Sequence, residues 1–211
     1  RYWLNDRSSL SGTIYYRQTK MRTLNGDINN EFEDGPFDGV SDDESGVYNR
    51  TQTTQNGYGA AGQWNYSGEQ HQLAVGVSGD FARMNFSQSA QLGTLDSSRG
   101  IANLAAEEEV NSLSGRTRTT SLYLTDTITL RPDLHLTAAA RYNHTQVTTV
   151  DQLNSVAPNL DGDYTYNKLN PALGLTWQAR PTLNAYAGFN QGNRAPSPIE
   201  LGCADPANPC T

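Results

Sequence analysis

The stretch Lys168-Leu-Asn-Pro-Ala-Leu-Gly-Leu-Thr-Trp-Gln178, followed by Ala179-Arg180-Pro181 and Thr182-Leu-Asn-Ala-Tyr-Ala-Gly-Phe189, decides how the rest of the chain is read. In its first half Leu169, Leu173, Leu175 and Trp177 alternate with Asn170, Ala172, Gly174, Thr176 and Gln178. In its second half Leu183, Ala185, Ala187 and Phe189 alternate with Asn184, Tyr186, Gly188 and Asn190. Period-two alternation predicts strands with one apolar and one polar face. The short turn between them predicts an antiparallel hairpin.

The same pattern recurs outward from this hairpin. Leu10, Gly12, Ile14 and Tyr16 share a parity, as do Tyr58, Ala60, Gly62, Trp64 and Tyr66. The cleanest alternation sets Leu73, Val75, Val77, Gly79 and Phe81 against Ala74, Gly76, Ser78, Asp80 and Ala82. Further strands are expected over about 118–130 and 134–150, which gives about seven strands in all. Short turns fall at 67–69, 131–133 and 179–181, and long loops at 25–49, 87–117, 151–164 and 192–211. Long and short connections therefore alternate, so the long loops gather at one end of the sheet. Transmembrane barrels have this asymmetry, and Trp64, Tyr66 and Trp177, just before short turns, suit an interfacial aromatic girdle. The expected fold is all-β, with antiparallel up-and-down strands forming part of a transmembrane β-barrel. Two residues sit badly in it. Asp126 shares parity with Leu122, Leu124, Ile128 and Leu130, which implies either a bulge or a place near the headgroups. Pro171 implies a bulge or a lost ladder bond.

Composition agrees with a barrel. The 211 residues carry a formal net charge of −7, which argues against a nucleic-acid partner. A mean hydropathy of −0.66, with no apolar run of about 20 residues, excludes a membrane helix and leaves a strand-built span open. Arg1 opens the chain with no apolar signal core behind it, as expected of a mature form or an excised segment.

Three stretches invite a sharper reading. The first long loop holds Asp27, Glu31, Glu33, Asp34, Asp38, Asp42, Asp43 and Glu44 with no Lys or Arg between them. It reads as a solvated loop, or as a weak cation site at Asp42, Asp43 and Glu44 whose spacing is not that of an EF-hand. Cys203 and Cys210 read as a small disulfide loop or as two free thiols, with too few neighbouring ligands for zinc. Residues 101–113 carry a loose helical stripe broken by Glu107, Glu108 and Glu109. The three histidines, His71, His135 and His144, show no metal-ligand spacing. No nucleophile elbow, phosphate loop or cofactor motif is present, so no enzyme and no cofactor is expected.

Asn25-Gly26-Asp27, Gly57-Tyr58-Gly59, Asp126, Arg141-Tyr142-Asn143 and Asn170-Pro-Ala-Leu-Gly-Leu175 occur in order. They end in Gly192-Asn-Arg-Ala-Pro-Ser-Pro-Ile-Glu-Leu201 with the two cysteines behind. The series resembles the barrel of TonB-dependent outer-membrane receptors, and the last run is its most specific part. The resemblance implies a piece of a barrel of about 22 strands around a plug. The plug and the TonB box lie outside this segment. It also implies a bacterial outer-membrane receptor that imports a scarce ligand (a ferric siderophore, cobalamin or an oligosaccharide), with outer-membrane lipid, the plug, TonB and the extracellular ligand as partners. Arg194, Pro196 and Glu200 are then candidates for bracing the last external loop or meeting the ligand, and Asp80 and Arg141 for lumen or plug contacts. A passive porin or adhesin barrel, and a soluble carbohydrate-binding β-sandwich, are the alternatives.

Overall fold

The structure is a computed structural model and describes residues 1–29, 44–156 and 159–202. It is an open half-barrel built from one antiparallel sheet. The strands are β1 (Tyr2–Asn5), β2 (Ser8–Ile28), β3 (Gly46–Ser67), β4 (His71–Leu95), β5 (Ile101–Ala102), β6 (Glu108–Arg131), β7 (Leu134–Asp151), β8 (Gly162–Arg180) and β9 (Leu183–Asn190). Each long strand pairs with its neighbour in sequence, and short β5 folds back on β4. The one helix among the described residues is a single turn, α1 (Pro198–Gly202).

Register fixes which residues share a face. Ile14 pairs with Ala60, Trp64 with Val75, Val77 with Leu122, Leu124 with Ala140, Ala138 with Leu173, and Leu173 with Phe189. Every apolar parity expected from sequence therefore lands on one face of the sheet. That face is uncovered: Ile14 is 85% exposed, Leu122 55% and Phe189 65%. Water disfavours such a surface by about 1.5–3 kcal/mol per large apolar side chain relative to burial. Among the described residues no second sheet lies against it, so they form a single layer and not a sandwich.

Beyond this belt the pattern inverts. Among the described residues the buried large apolar side chains on the strands are Met84, Phe86, Leu113 and Val147, and they have the opposite parity to Phe81, Leu122 and Tyr142 on their own strands. They form a small core on the inner face near the long-loop end. Here the expected loop boundaries need correction. β2 runs to Ile28 and β3 resumes at Gly46, so the 25–49 connection is shorter than expected. β4 runs to Leu95 and β6 begins at Glu108, so most of 87–117 is strand. The helical stripe at 101–113 is not a helix. It holds β5 and the start of β6, where Leu113 is 2% exposed and takes part in the inner core.

The two misfits resolve without bulges. The ladder between β4 and β6 keeps register from His71↔Ile128 up to Gln88, so Asp126 does face the apolar side. Its Oδ2 lies 2.7 Å from His71 Nδ1, one pairing step nearer the short turn. The β7–β8 register is also unbroken at Pro171. Gln191 N–H donates to Pro171 O at 2.9 Å, so the ring nitrogen faces the same side, where β9 has just ended. The missing N–H takes nothing from the β7 ladder.

Candidate ligand and plug interface

Two rows of aromatic rings bound the exposed apolar face. Toward the short turns, Trp64 stacks near Tyr66 with ring centroids 6.0 Å apart, and Trp177 Nε1–H donates to Asp133 Oδ2 at 3.1 Å. Toward the long loops, Tyr16, Tyr58, Phe81 and Tyr142 stand on the same face, and the rings of Tyr58 and Phe81 stack at 5.3 Å. The sequence reading missed this second row. Its signal was cross-strand: Tyr16 pairs with Tyr58, and Tyr58 with Phe81. Along β3, Tyr58 and Tyr66 are separated by about 26 Å of strand. At the strand tilt of about 35–45° usual in such barrels this covers about 20 Å of depth, which fits inside the ~25 Å apolar band of an outer-membrane barrel.

The inner face is a hydrogen-bonded polar wall. Arg141 Nη2 donates to Ser78 Oγ at 3.1 Å and Ser121 Oγ at 2.9 Å, and Nε donates to Asn143 Oδ1 at 2.9 Å. Its guanidinium lies over the Tyr123 ring, 5.5 Å from the centroid. Tyr123 O–H donates to Gln63 Oε1 at 3.1 Å, and Gln63 bonds Asn65. Asp80 accepts from Tyr15 O–H at 2.7 Å. Gly59 lets these side chains close up, because a Cβ there would stand 2.6 Å from the Tyr15 ring and 2.8 Å from Asp80 Oδ1. Asp80 and Arg141 thus share the inner face without pairing with each other. Arg141 keeps spare donors among its five N–H groups for a group inside the barrel.

At the long-loop end, residues 192–202 fold against the inner wall. Ser197 caps α1: Glu200 N–H donates to Ser197 Oγ at 3.3 Å, and Ser197 N–H donates to Glu200 Oε2 at 2.6 Å. This reciprocal pair, with Pro198 at the first helical position, is a capping box. Arg194 completes it with a two-pronged bond, Nη1 to Oε2 at 2.7 Å and Nη2 to Oε1 at 2.6 Å. The Arg194 guanidinium, helped by the Ser197 N–H, holds the Glu200 carboxyl well below the usual carboxylate range, so the pair is ionised at neutral and mildly acid pH. Pro198 is buried, and its ring occupies the space that a side chain on Gly115 would need. Gly202 packs on Leu113, where a Cβ would stand 3.1 Å from Cδ2. The segment therefore roofs the inner core. Pro196 lies between the ion pair and this contact.

Two acids that order turns at the long-loop end escaped the sequence reading. Asp96 accepts from Ser98 O–H at 2.6 Å, Ser98 N–H at 2.8 Å and Gly100 N–H at 2.9 Å, and these bonds hold its pKa below the ordinary value. Burial works against the charged form of Asp151. The N–H groups of Asn154, Leu153 and Leu160 outweigh it and hold that carboxyl low. Both acids open Asx-type turns, a local motif legible once the strand ends are known. Of the acidic-loop candidates, Asp42 and Asp43 lie outside the described residues, as do Cys203 and Cys210. Glu44 is described, and its carbonyl accepts from Asn29 Nδ2 at 2.9 Å. Among the described residues no group of three or more His, Cys, Asp or Glu side chains is placed to hold a metal ion.

With this geometry in place, comparison with known proteins decides the family. The sequence matches the family described as "TonB dependent receptor-like, beta-barrel" over residues 1–209. The chain belongs to the TonB-dependent receptor β-barrel family. No curated protein matches the sequence. Among solved structures, the chain is similar to the ferric-catecholate import receptor Fiu from E. coli K12 in its open form, with 16% identity and a TM-score of 0.61. That likeness covers 89% of this chain and 33% of the receptor. It is also similar to the unliganded ferric citrate transporter FecA, with 13% identity, a TM-score of 0.57, and coverage of 89% of this chain and 25% of the transporter. At such identities the likeness establishes the fold. The chain spans about a quarter to a third of the length of these TonB-dependent receptors.

Proposed function

We propose that this chain is a barrel segment of an outer-membrane receptor that binds a scarce extracellular ligand and imports it with energy from TonB. One observation supports this most directly. A single-layer wall, apolar outside and hydrogen-bonded polar inside, carries its ordered loops and the Arg194–Glu200 brace at one end. An apolar outer face belongs against lipid, and a polar inner face against a folded plug. Asp80 and Arg141 are the inner-wall residues assigned to plug contact. Arg194, Pro196 and Glu200 are assigned to shaping the external mouth. The ligand is a ferric siderophore, cobalamin or an oligosaccharide. The likeness to a ferric citrate transporter and a ferric-catecholate import receptor puts a ferric chelate first to be tested.

The test is uptake by cells that carry the full-length receptor. Radiolabelled ferric citrate, ferric catecholate and cobalamin are offered with TonB present and with TonB deleted. One of them is expected to enter only with TonB. Deleting the β4–β6 loop tip at 97–105 is expected to lower its uptake at least about tenfold while the barrel still assembles, since recognition loops carry binding energy that the scaffold does not. Entry of small solutes regardless of TonB would instead identify a passive pore.

A further inference from the structure

Directly above the apolar belt the outer face of the wall turns basic. Arg83 on β4 and Arg116 on β6 are cross-strand partners, and Arg118 faces the same way opposite Phe81. All three side chains are exposed. Like charges directly opposite each other on one sheet face repel. Among the described residues no carboxylate lies within ion-pair distance of any of the three. Arg50 on the same outer face shows the contrast, because Glu107 stands 3.6 Å from it. Three clustered guanidinium groups with no carboxylate within ion-pair reach among the described residues call for an anion from outside the wall. Guanidinium forks suit phosphate, which accepts two parallel bonds.

Depth selects the kind of phosphate. Phe81 is the last ring of the aromatic row that ends the apolar belt, and Arg118 is its partner. The guanidinium groups therefore stand where hydrocarbon gives way to headgroups. Arg116 and Arg118, with Gln146 and Thr148 of β7, line a shallow outward depression of about 400 Å³. Asp163 closes its far edge opposite Thr148, which leaves the β4–β6 side to an anion.

We propose that Arg83, Arg116 and Arg118 clamp a phosphate of an outer-leaflet lipid headgroup against the outer wall. The proposal rests on the lipid-facing reading of the apolar belt given under Proposed function. The test uses the full-length receptor, delipidated in detergent and titrated with bisphosphorylated lipid A under native mass spectrometry. The triple variant Arg83→Gln, Arg116→Gln, Arg118→Gln is expected to bind at least about tenfold more weakly, each lost charged bond being worth several-fold. Arg116→Gln alone is expected to lose about threefold, with an unchanged heat-dependent gel mobility showing that the barrel is folded. Dephosphorylated lipid A should bind wild type and variant alike. Equal binding of bisphosphorylated lipid A by wild type and triple variant would overturn the clamp. Its displacement by inorganic phosphate at equal concentration would overturn the lipid assignment in favour of a free-anion site. Flotation with phosphatidylcholine vesicles separates the two readings. A receptor that fails to insert at all contradicts the lipid-facing belt itself, whereas one that inserts without lipid A selectivity contradicts only the clamp.

Discussion

Replacing Leu124 by arginine is expected to destabilise the membrane-inserted receptor by about 2–4 kcal/mol, the penalty for a cation at mid-depth on the lipid face of a barrel. Leu124 stands between Leu122 and Asp126 on the apolar face, opposite Val75 on one side and Ala140 on the other. It is exposed in the sheet, so little of the penalty comes from lost packing within the chain. Arginine at the next residue, Thr125, points to the inner wall and is expected to cost under about 1 kcal/mol, as lumen positions tolerate charge. Denaturant unfolding of the full-length receptor in vesicles reads both. Equal effects at 124 and 125 would contradict the assignment of faces. Asp126 shows how the native wall handles a charge at this face. Its carboxylate is drawn to His71, one pairing step nearer the short turns.

Gly115→Val is expected to dislodge the 192–202 segment from the inner wall. The Pro198 ring fills the position a side chain would take there, and Gly115 is fixed in the β4–β6–β7 ladder, so it is the Pro198 side that must give way. Overpacking of this kind costs about 1–3 kcal/mol. Its other contacts with the wall include Gly202 against Leu113 and Leu160, and the Arg194–Glu200–Ser197 network is internal to it. The strain is therefore relieved by releasing the segment, and hydrogen exchange of residues 196–202 should rise while β6 and β7 stay protected. Ligand affinity should fall if this segment shapes the external mouth. Gly62→Ala serves as the control, since a Cβ there meets nothing within 4 Å. Unchanged protection in Gly115→Val would show that the segment does not depend on this contact.

The belt was legible in the sequence because one rule governs it. Between Leu73 and Phe81, or Leu169 and Trp177, every second residue lies on the apolar outer face, so alternation alone fixes face and register. Above the belt the rule reverses. Phe81 points out and Phe86 points in, while polar Arg83 and Asn85 take the outer positions. A reading that follows one apolar parity loses the strand where the outer face changes from apolar to polar side chains. That is why 87–95 and 108–117 read as loop and 101–113 as a helical stripe. The Arg194–Glu200 pair could be named because six residues separate its members within a Pro-framed motif. Arg141–Ser78 and Tyr15–Asp80 join residues more than 60 apart, and only register brings them together. The Arg83–Arg116–Arg118 cluster was hidden for the same reason.

The central claim is that one face of this wall meets lipid and the other does not. Nitroxide labels placed singly at 114 to 130 along β6 of the full-length receptor in vesicles test it most directly, with accessibility to oxygen and to a water-soluble paramagnet measured at each site. The account predicts oxygen-rich even positions from 122 to 130 alternating with odd positions that oxygen does not reach. It also predicts even positions 114 to 118 open to the aqueous reagent. Even positions from 122 to 130 that react with the aqueous reagent, or no alternation at all, would contradict it.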